Sequence, residues 1–205
     1  IIMKKNKFSV TLDGLMRQNI VLMSGLVTAP VIVAATTMER AVVLVVSFFL
    51  LSYTSILLCR FIPRRIVYTV RILLYAVVAA AMYIPTMICL EYLFPDVLSG
   101  VALYVELLVV NSFLLAKTET RFYLKPYSEM VIDALIYVAG YAIVALMVGG
   151  IREILAYGTI YGFHLSEPIM PAAKSPFFGF ILVGVLAAFC RGLSGKRAPR
   201  KERIT

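Results

Sequence analysis

Between residues 41 and 59 the chain reads AVVLVVSFFLLSYTSILLC, without one charged side chain. A helix needs about 20 mostly apolar residues to cross the hydrocarbon core of a bilayer. Five further stretches meet or approach that length: 18–38, 72–90, 97–116, 134–151 and 175–190. Within all six, Glu106 is the single acidic or basic residue. In lipid a segment must satisfy its own backbone hydrogen bonds, and these continuous runs lack the alternation of barrel strands. The expectation is an all-α membrane protein of six transmembrane helices, with no cleaved signal peptide. Composition agrees. Hydrophobic residues make up 61% of the 205 and charged residues 15%, against about 45–50% and about 25% in soluble domains.

The net charge of +9 would point to nucleic acid in a soluble protein. Here the basic residues punctuate the apolar runs, so topology explains them better. With six crossings, 17 of the 20 Lys and Arg fall on one side, leaving only Arg40, Arg152 and Lys174 opposite. The positive-inside rule then puts both termini in the cytoplasm. Residues 1–17 are read as a cytoplasmic N-terminal segment, 18–190 as the membrane domain and 191–205 as a basic cytoplasmic tail. Three spans per half make the halves inverted relative to each other, a common membrane design. The expected repeats are about 18–93 and 97–190. Thr37-Met38-Glu39 and Lys117-Thr118-Glu119, 80 residues apart, are a thin echo of that symmetry.

Ionisable residues inside a membrane are costly and invite a functional reading. Glu106 in the fourth span is the clearest, with Asp133 just before the fifth and Glu39 just after the first. All three are candidates for an ion path; the structural alternative is helix capping or snorkelling. Asn111-Ser112 offers a hydrogen bond between helices. Residues 149–174 read as a long loop opening with a short interfacial helix, GGIREIL, in which Arg152 and Glu153 are candidates for an interfacial ion pair. Cys59, Cys89 and Cys190 are scattered without CxxC spacing. No nucleophile–base pair, phosphate loop or nucleic-acid motif is present, so no enzyme acting alone is indicated.

One stretch resists a plain reading as a span. LVTAPVIVAATTMERA, residues 26–41, is apolar but carries Pro30 and then a polar cluster without a turn residue. Its surroundings, GLMRQNIVLMSGLVTAPVIVAATTMERA, resemble the opening of the RnfE/NqrD family, a pattern like G-x-x-K-E-N-P-V-L-V…L-C-P-L-L-A-V-T-T-x-L-E-x-A. FIPRRIV after span two and LVVNSFLLAKTE after span four are similar to the family's F-I-P-x-x-I-R and I-V-V-N-C-I-I-L-G-R-A-E. The most specific match is DALIYVAGYAIVALMVGGIREILAYGTIYG. The resemblance runs from about Gly14 to Ala188. It implies two inverted three-helix repeats, with spans one and four interrupted near the bilayer centre.

Family members carry one cysteine per repeat, and those thiolates help hold an iron centre inside the membrane. Thiolates suit iron as soft anionic donors. Here the two positions are Ala29, before the matching Pro30, and Ser112, after the matching Asn111. The resemblance therefore implies a membrane subunit of an Rnf/Nqr-like ion-translocating electron-transport complex, a scaffold or ion path without iron–sulfur ligands or another cofactor of its own. FMN, riboflavin and iron–sulfur centres are expected on partner subunits. The implied partners are a homologous membrane subunit of inverted topology (RnfA/NqrE-like), flavin-bearing and iron–sulfur subunits, and the lipid bilayer. The implied location is a bacterial or archaeal inner membrane. The alternative is a diverged paralogue serving as a transporter or assembly module outside redox chemistry.

Overall fold

The computed structural model describes residues 19–109 and 111–195. The N-terminal segment and most of the basic tail lie outside the described residues. Among those described, eight α-helical segments follow in chain order: α1 (Thr28–Val33), α2 (Met38–Cys59), α3 (Tyr68–Leu93), α4 (Pro95–Leu98), α5 (Ala102–Leu107), α6 (Ser112–Thr120), α7 (Tyr127–Tyr157) and α8 (Pro176–Gly195). Among the described residues, α2, α3 and α7 are long and apolar enough to cross a membrane. They correspond to the second, third and fifth expected spans. The shorter α8 takes the place of the sixth. The stretches 18–38 and 97–116 are not single helices. Each is divided into short pieces, of which α6, with nine residues, is the longest.

The packing follows the residue pattern. On α2 and α7 buried residues alternate with partly buried or exposed ones, and the two helices lie against each other. At their contact Gly149 is required: a Cβ there would sit 2.7 Å from the Ala41 Cβ and 3.0 Å from the Thr37 carbonyl. Small residues let membrane helices approach this closely. An aromatic cluster continues the seam. Phe48 stacks on Tyr141 with centroids 4.1 Å apart, and Phe113 meets both Phe48 and Tyr137. By contrast α3 exposes Leu73, Val77, Ile84 and Ile88, an apolar surface suited to lipid. Pro85 removes one backbone donor from α3 without ending it. One residue later Thr86 donates its hydroxyl back to Met82 at 2.7 Å.

Two readings of the chain after residue 149 are corrected. GGIREIL is not a separate interfacial helix, because α7 continues through it to Tyr157. Its residues keep the apolar-and-small pattern that packs on α2, so nothing there breaks the helix. Asp133 likewise lies within α7 rather than before it. The helix ends at Gly158, whose φ of 69° is the left-handed cap that glycine adopts most easily. A tight hairpin follows, β1 (Thr159–Ile160) against β2 (Phe163–His164), with Tyr161 and Gly162 both at positive φ. His164 is exposed on β2.

Candidate functional site

The stretch LVTAPVIVAATTMERA is where the chain breaks. Asn19 pins a turn ahead of it. Its side-chain oxygen accepts from the Val21 and Leu22 amides, and its amide donates to the Gly140 carbonyl at 2.8 Å. Val27 then adopts φ 57°, ψ 31°. A β-branched residue in the left-handed region costs about 1–3 kcal/mol and persists only where surrounding structure imposes it. Six residues of α1 follow, then residues 34–37, and α2 begins at Met38.

A six-residue helix leaves most of its terminal carbonyls without helical partners. Arg152 supplies donors to two carbonyls at this end, those of Ile32 and Ala35. Its Nη1 donates to Ile32 O at 2.7 Å and Ala35 O at 3.2 Å. Its Nε donates to Ala173 O at 3.0 Å, and Nη2 to Lys174 O and Ser175 O at 3.0 and 3.2 Å. A guanidinium has five N–H donors, and here five carbonyls receive them. Arg152 is 0% exposed, so this cage takes the place of its hydration. The next residue does the converse. Glu153, 3% exposed, accepts from the Met38 amide at 2.6 Å, from Thr159 at 3.0 Å and from the Gly162 amide at 3.3 Å. A cation closes the C-terminal end of α1 and an anion the N-terminal end of α2, the signs that helix dipoles favour. The expected Arg152–Glu153 interfacial ion pair is therefore corrected. Both groups are buried, and each turns to a different helix end because unpaired backbone lies there.

The second break lies between α5 and α6 and is held differently. Asn111, 5% exposed, caps α6 by accepting from the Leu114 amide at 2.7 Å. Its own amide donates back to Leu108 O at 2.6 Å and across to the Ser52 hydroxyl at 3.0 Å. Ser52 sits in a π-helical turn of α2, Phe49–Tyr53, an irregularity that is common at functional sites. The two breaks face each other across one pocket of about 300 Å³. Val27, Ala29 and Pro30 line it from the first break, and Leu107, Asn111 and Ser112 from the second.

The three carboxylates read as ion-path candidates are not gathered there. Glu106 is exposed on α5, with the Tyr83 hydroxyl donating to it at 3.3 Å. Glu39 is exposed in the first turn of α2. Asp133, 3% exposed, is held by Arg121 at 2.6 and 3.1 Å and by Lys125 at 2.8 Å. A further carboxylate, Glu119, joins the last turn of α6 to α3, accepting from Arg71 at 2.5 and 2.8 Å and from the Tyr75 hydroxyl at 2.6 Å. Burial alone would raise its pKa, but the hydrogen bonds from Arg71 and Tyr75 and the charge of Arg71 outweigh it and hold the carboxyl below its ordinary range.

Residues 7–188 match the family described as "Rnf-Nqr subunit, membrane protein". The chain belongs to that family. Its relatives include the D-type subunit of the Na(+)-translocating NADH-quinone reductase of Pseudoalteromonas atlantica, 24% identical over 98% of this chain and 97% of that protein. The D-type subunit of the same reductase from Serratia proteamaculans is 23% identical over 90% and 88%. The E-type subunit of the ion-translocating oxidoreductase complex of Methanosarcina acetivorans is 26% identical over 82% and 81%. This Rnf-Nqr chain is thus similar over 82% to 98% of its length to named subunits of both complexes.

Against the iron centre that the resemblance implies for the family, the donor set of this Rnf-Nqr protein does not fit. A methyl group at Ala29 has no lone pair. The hydroxyl at Ser112 must lose a proton held far more tightly than a thiol's, whose pKa is about 8.5. The amide of Asn111 is spent on the break. The free thiols stand elsewhere, Cys59 at the end of α2, Cys89 in α3 and Cys190 in α8. Sequence reasoning missed Arg152, Glu153 and Glu119 as the residues that hold the breaks and anchor α6. One signal was available: an Arg-Glu pair within an apolar, glycine-bearing run is costly unless something nearby uses it.

Proposed function

We propose that this chain is the RnfE/NqrD-like membrane subunit of an ion-translocating electron-transport complex, serving as scaffold or ion path without iron–sulfur ligands of its own. The observation that carries the reading is the pocket between the two breaks, built as a site yet lined by Ala29 and Ser112. On this reading the chain spans a prokaryotic inner membrane six times, in two inverted repeats (about 18–93 and 97–190), with both termini cytoplasmic. The divided stretches 18–38 and 97–116 are the first and fourth spans. The 17-to-3 split of basic residues supports the orientation. A homologous RnfA/NqrE-like protein lies beside it, and partner subunits hold FMN, riboflavin and iron–sulfur centres.

The test is purification of the intact assembly from the native membrane through a tag on this chain. Flavin-bearing and iron–sulfur subunits are expected to co-purify, with no iron held by Ala29 or Ser112. Restoring both donors, Ala29→Cys with Ser112→Cys, is expected to raise the iron content if the partner keeps its half of the site. The same two replacements favour a second reading, a transporter or assembly module outside redox chemistry. Recovery of the chain without any redox subunit would decide for that reading. Glu106, together with Asp133 and Glu39, is the ion-path candidate set. Glu106→Gln is expected to leave assembly intact and to change ion-dependent activity, measured as ion uptake into reconstituted vesicles. Unchanged uptake would remove Glu106 from the path.

A further inference from the structure

Where α2 stops and α3 starts, three arginines surround one aromatic ring. The Arg64 guanidinium lies 4.7 Å from the centroid of Tyr123, that of Arg60 5.2 Å and that of Arg71 5.9 Å. Arg60 also donates to the Tyr123 carbonyl at 2.8 Å. Of the three, Arg71 forms a direct ion pair, with Glu119, whose charge also reaches Arg64 from farther away. Arg60 and Arg64 form no ion pair among the described residues, and Arg65 follows Arg64 on the exposed surface. Like charges this close repel. The ring and the nearby Glu119 charge offset part of the cost, and an external anion would offset more.

The surroundings say which anion. Phe61 is 76% exposed, Val67 71% and Leu124 69%. Each is within a few residues of an arginine or of Tyr123. Free phosphate would gain nothing from these side chains. A phospholipid uses both parts, its phosphate against the guanidinium groups and its acyl chains over Phe61, Val67 and Leu124. Basic residues beside membrane helices attract anionic headgroups, and the planar guanidinium fork matches phosphate oxygens in pairs. We propose that Arg60, Arg64 and Tyr123, flanked by Phe61 and Leu124, form a binding site for the phosphate headgroup of an anionic phospholipid. The proposal rests on the membrane placement of the family and is independent of any redox role.

The experiment uses the full chain, stripped of lipid in detergent and placed in nanodiscs of phosphatidylcholine with or without phosphatidylglycerol. Native mass spectrometry then counts retained lipid. Selective retention of phosphatidylglycerol is expected. Arg60→Gln and Arg64→Gln should each weaken it about fivefold, the weight of about 1 kcal/mol per basic residue near an anionic surface. Arg40→Gln, and Lys196→Gln with Arg197→Gln in the tail, should weaken it less. Melting in phosphatidylcholine alone checks that each variant folds. Should a glutamine variant fail to fold, Arg64→Lys keeps the charge but loses the planar fork, so selectivity for phosphatidylglycerol is expected to weaken without vanishing; its complete loss from this folded variant would overturn the proposal. Equal retention of both lipids would overturn it, as would undiminished retention in the Arg60→Gln, Arg64→Gln double variant. Full competition by inorganic phosphate at low millimolar concentration would replace the lipid site with a free-phosphate site.

Discussion

The two helix breaks face one pocket but are held by opposite strategies. The first meets the pocket at Val27–Pro30 and is closed at its far end, residues 34–37, by charges that arrive from α7, more than a hundred positions along the chain. The second, between α5 and α6, is closed from within by the neutral amide of Asn111, with one bond across to Ser52. A charged clasp buried without its water is strong only when complete, because each unmet donor or acceptor costs its full desolvation. A local amide cap contributes less and fails more gently. The first break therefore behaves as a fixed joint between α1, α2, α7 and the start of α8, and the second as the softer one.

Breaking the clasp should give the largest effect. Arg152→Ala removes the donor from five carbonyls, three of them in buried contacts and two in part-buried ones. It is expected to cost upward of about 3 kcal/mol, seen as loss of folded protein in the membrane or a sharply lowered melting temperature in detergent. Arg152→Lys keeps the charge but offers three donors in place of a planar fork, so its loss should be smaller yet substantial. Retention of wild-type stability by both would show that the joint is not held by Arg152.

The amide break should respond less. Asn111→Ala removes the cap of α6 and two further bonds, and is expected to cost about 1–2 kcal/mol. Asn111→Asp keeps the accepting oxygen and loses the donors, which should recover part of that. Hydrogen exchange sharpens the contrast without any mutation, since amides at 108–112 should exchange faster than those at 34–38. The reverse order would overturn the assignment of fixed and soft joints.

How far the sequence reveals this architecture differs between the two breaks. Asn111 was legible as a polar residue poised to bond between helices, because an N-cap acts within a few residues of itself. The long helices were legible for a similar reason: apolar length is a local property. Arg152 and Glu153 were read as an interfacial pair because their partners are backbone groups of α1 and α2, remote in the chain and invisible in composition. The end of α7 was misplaced for the same cause. Gly149 and Gly150 look like a helix end in isolation, whereas the first of them is demanded by Ala41 on the facing helix. The pocket drew on both kinds of information. Ala29 and Ser112 were singled out by motif resemblance, but only the fold brings them to one cavity.

The smallest expected effect concerns the far end of the softer joint. The helix that starts at Asn111 ends with Glu119 in its last turn, an acidic group where the helix dipole disfavours one. The bidentate bond from Arg71 and the Tyr75 hydroxyl outweigh that disadvantage and tie α6 to α3. Because these partners hold the folded carboxylate below its ordinary value of 4.5, its contribution is complete above that value. It is lost as pH falls through the lower, folded-state pKa. Glu119→Gln should therefore melt slightly below wild type at neutral pH. The gap should close in acid, as wild type loses what the variant never had. Exchange at 108–112 should rise in the same acid range if α6 is braced from both ends. If the wild-type and Gln curves instead stay parallel down to strong acid, Glu119 does not anchor the helix, and the second break rests on Asn111 alone.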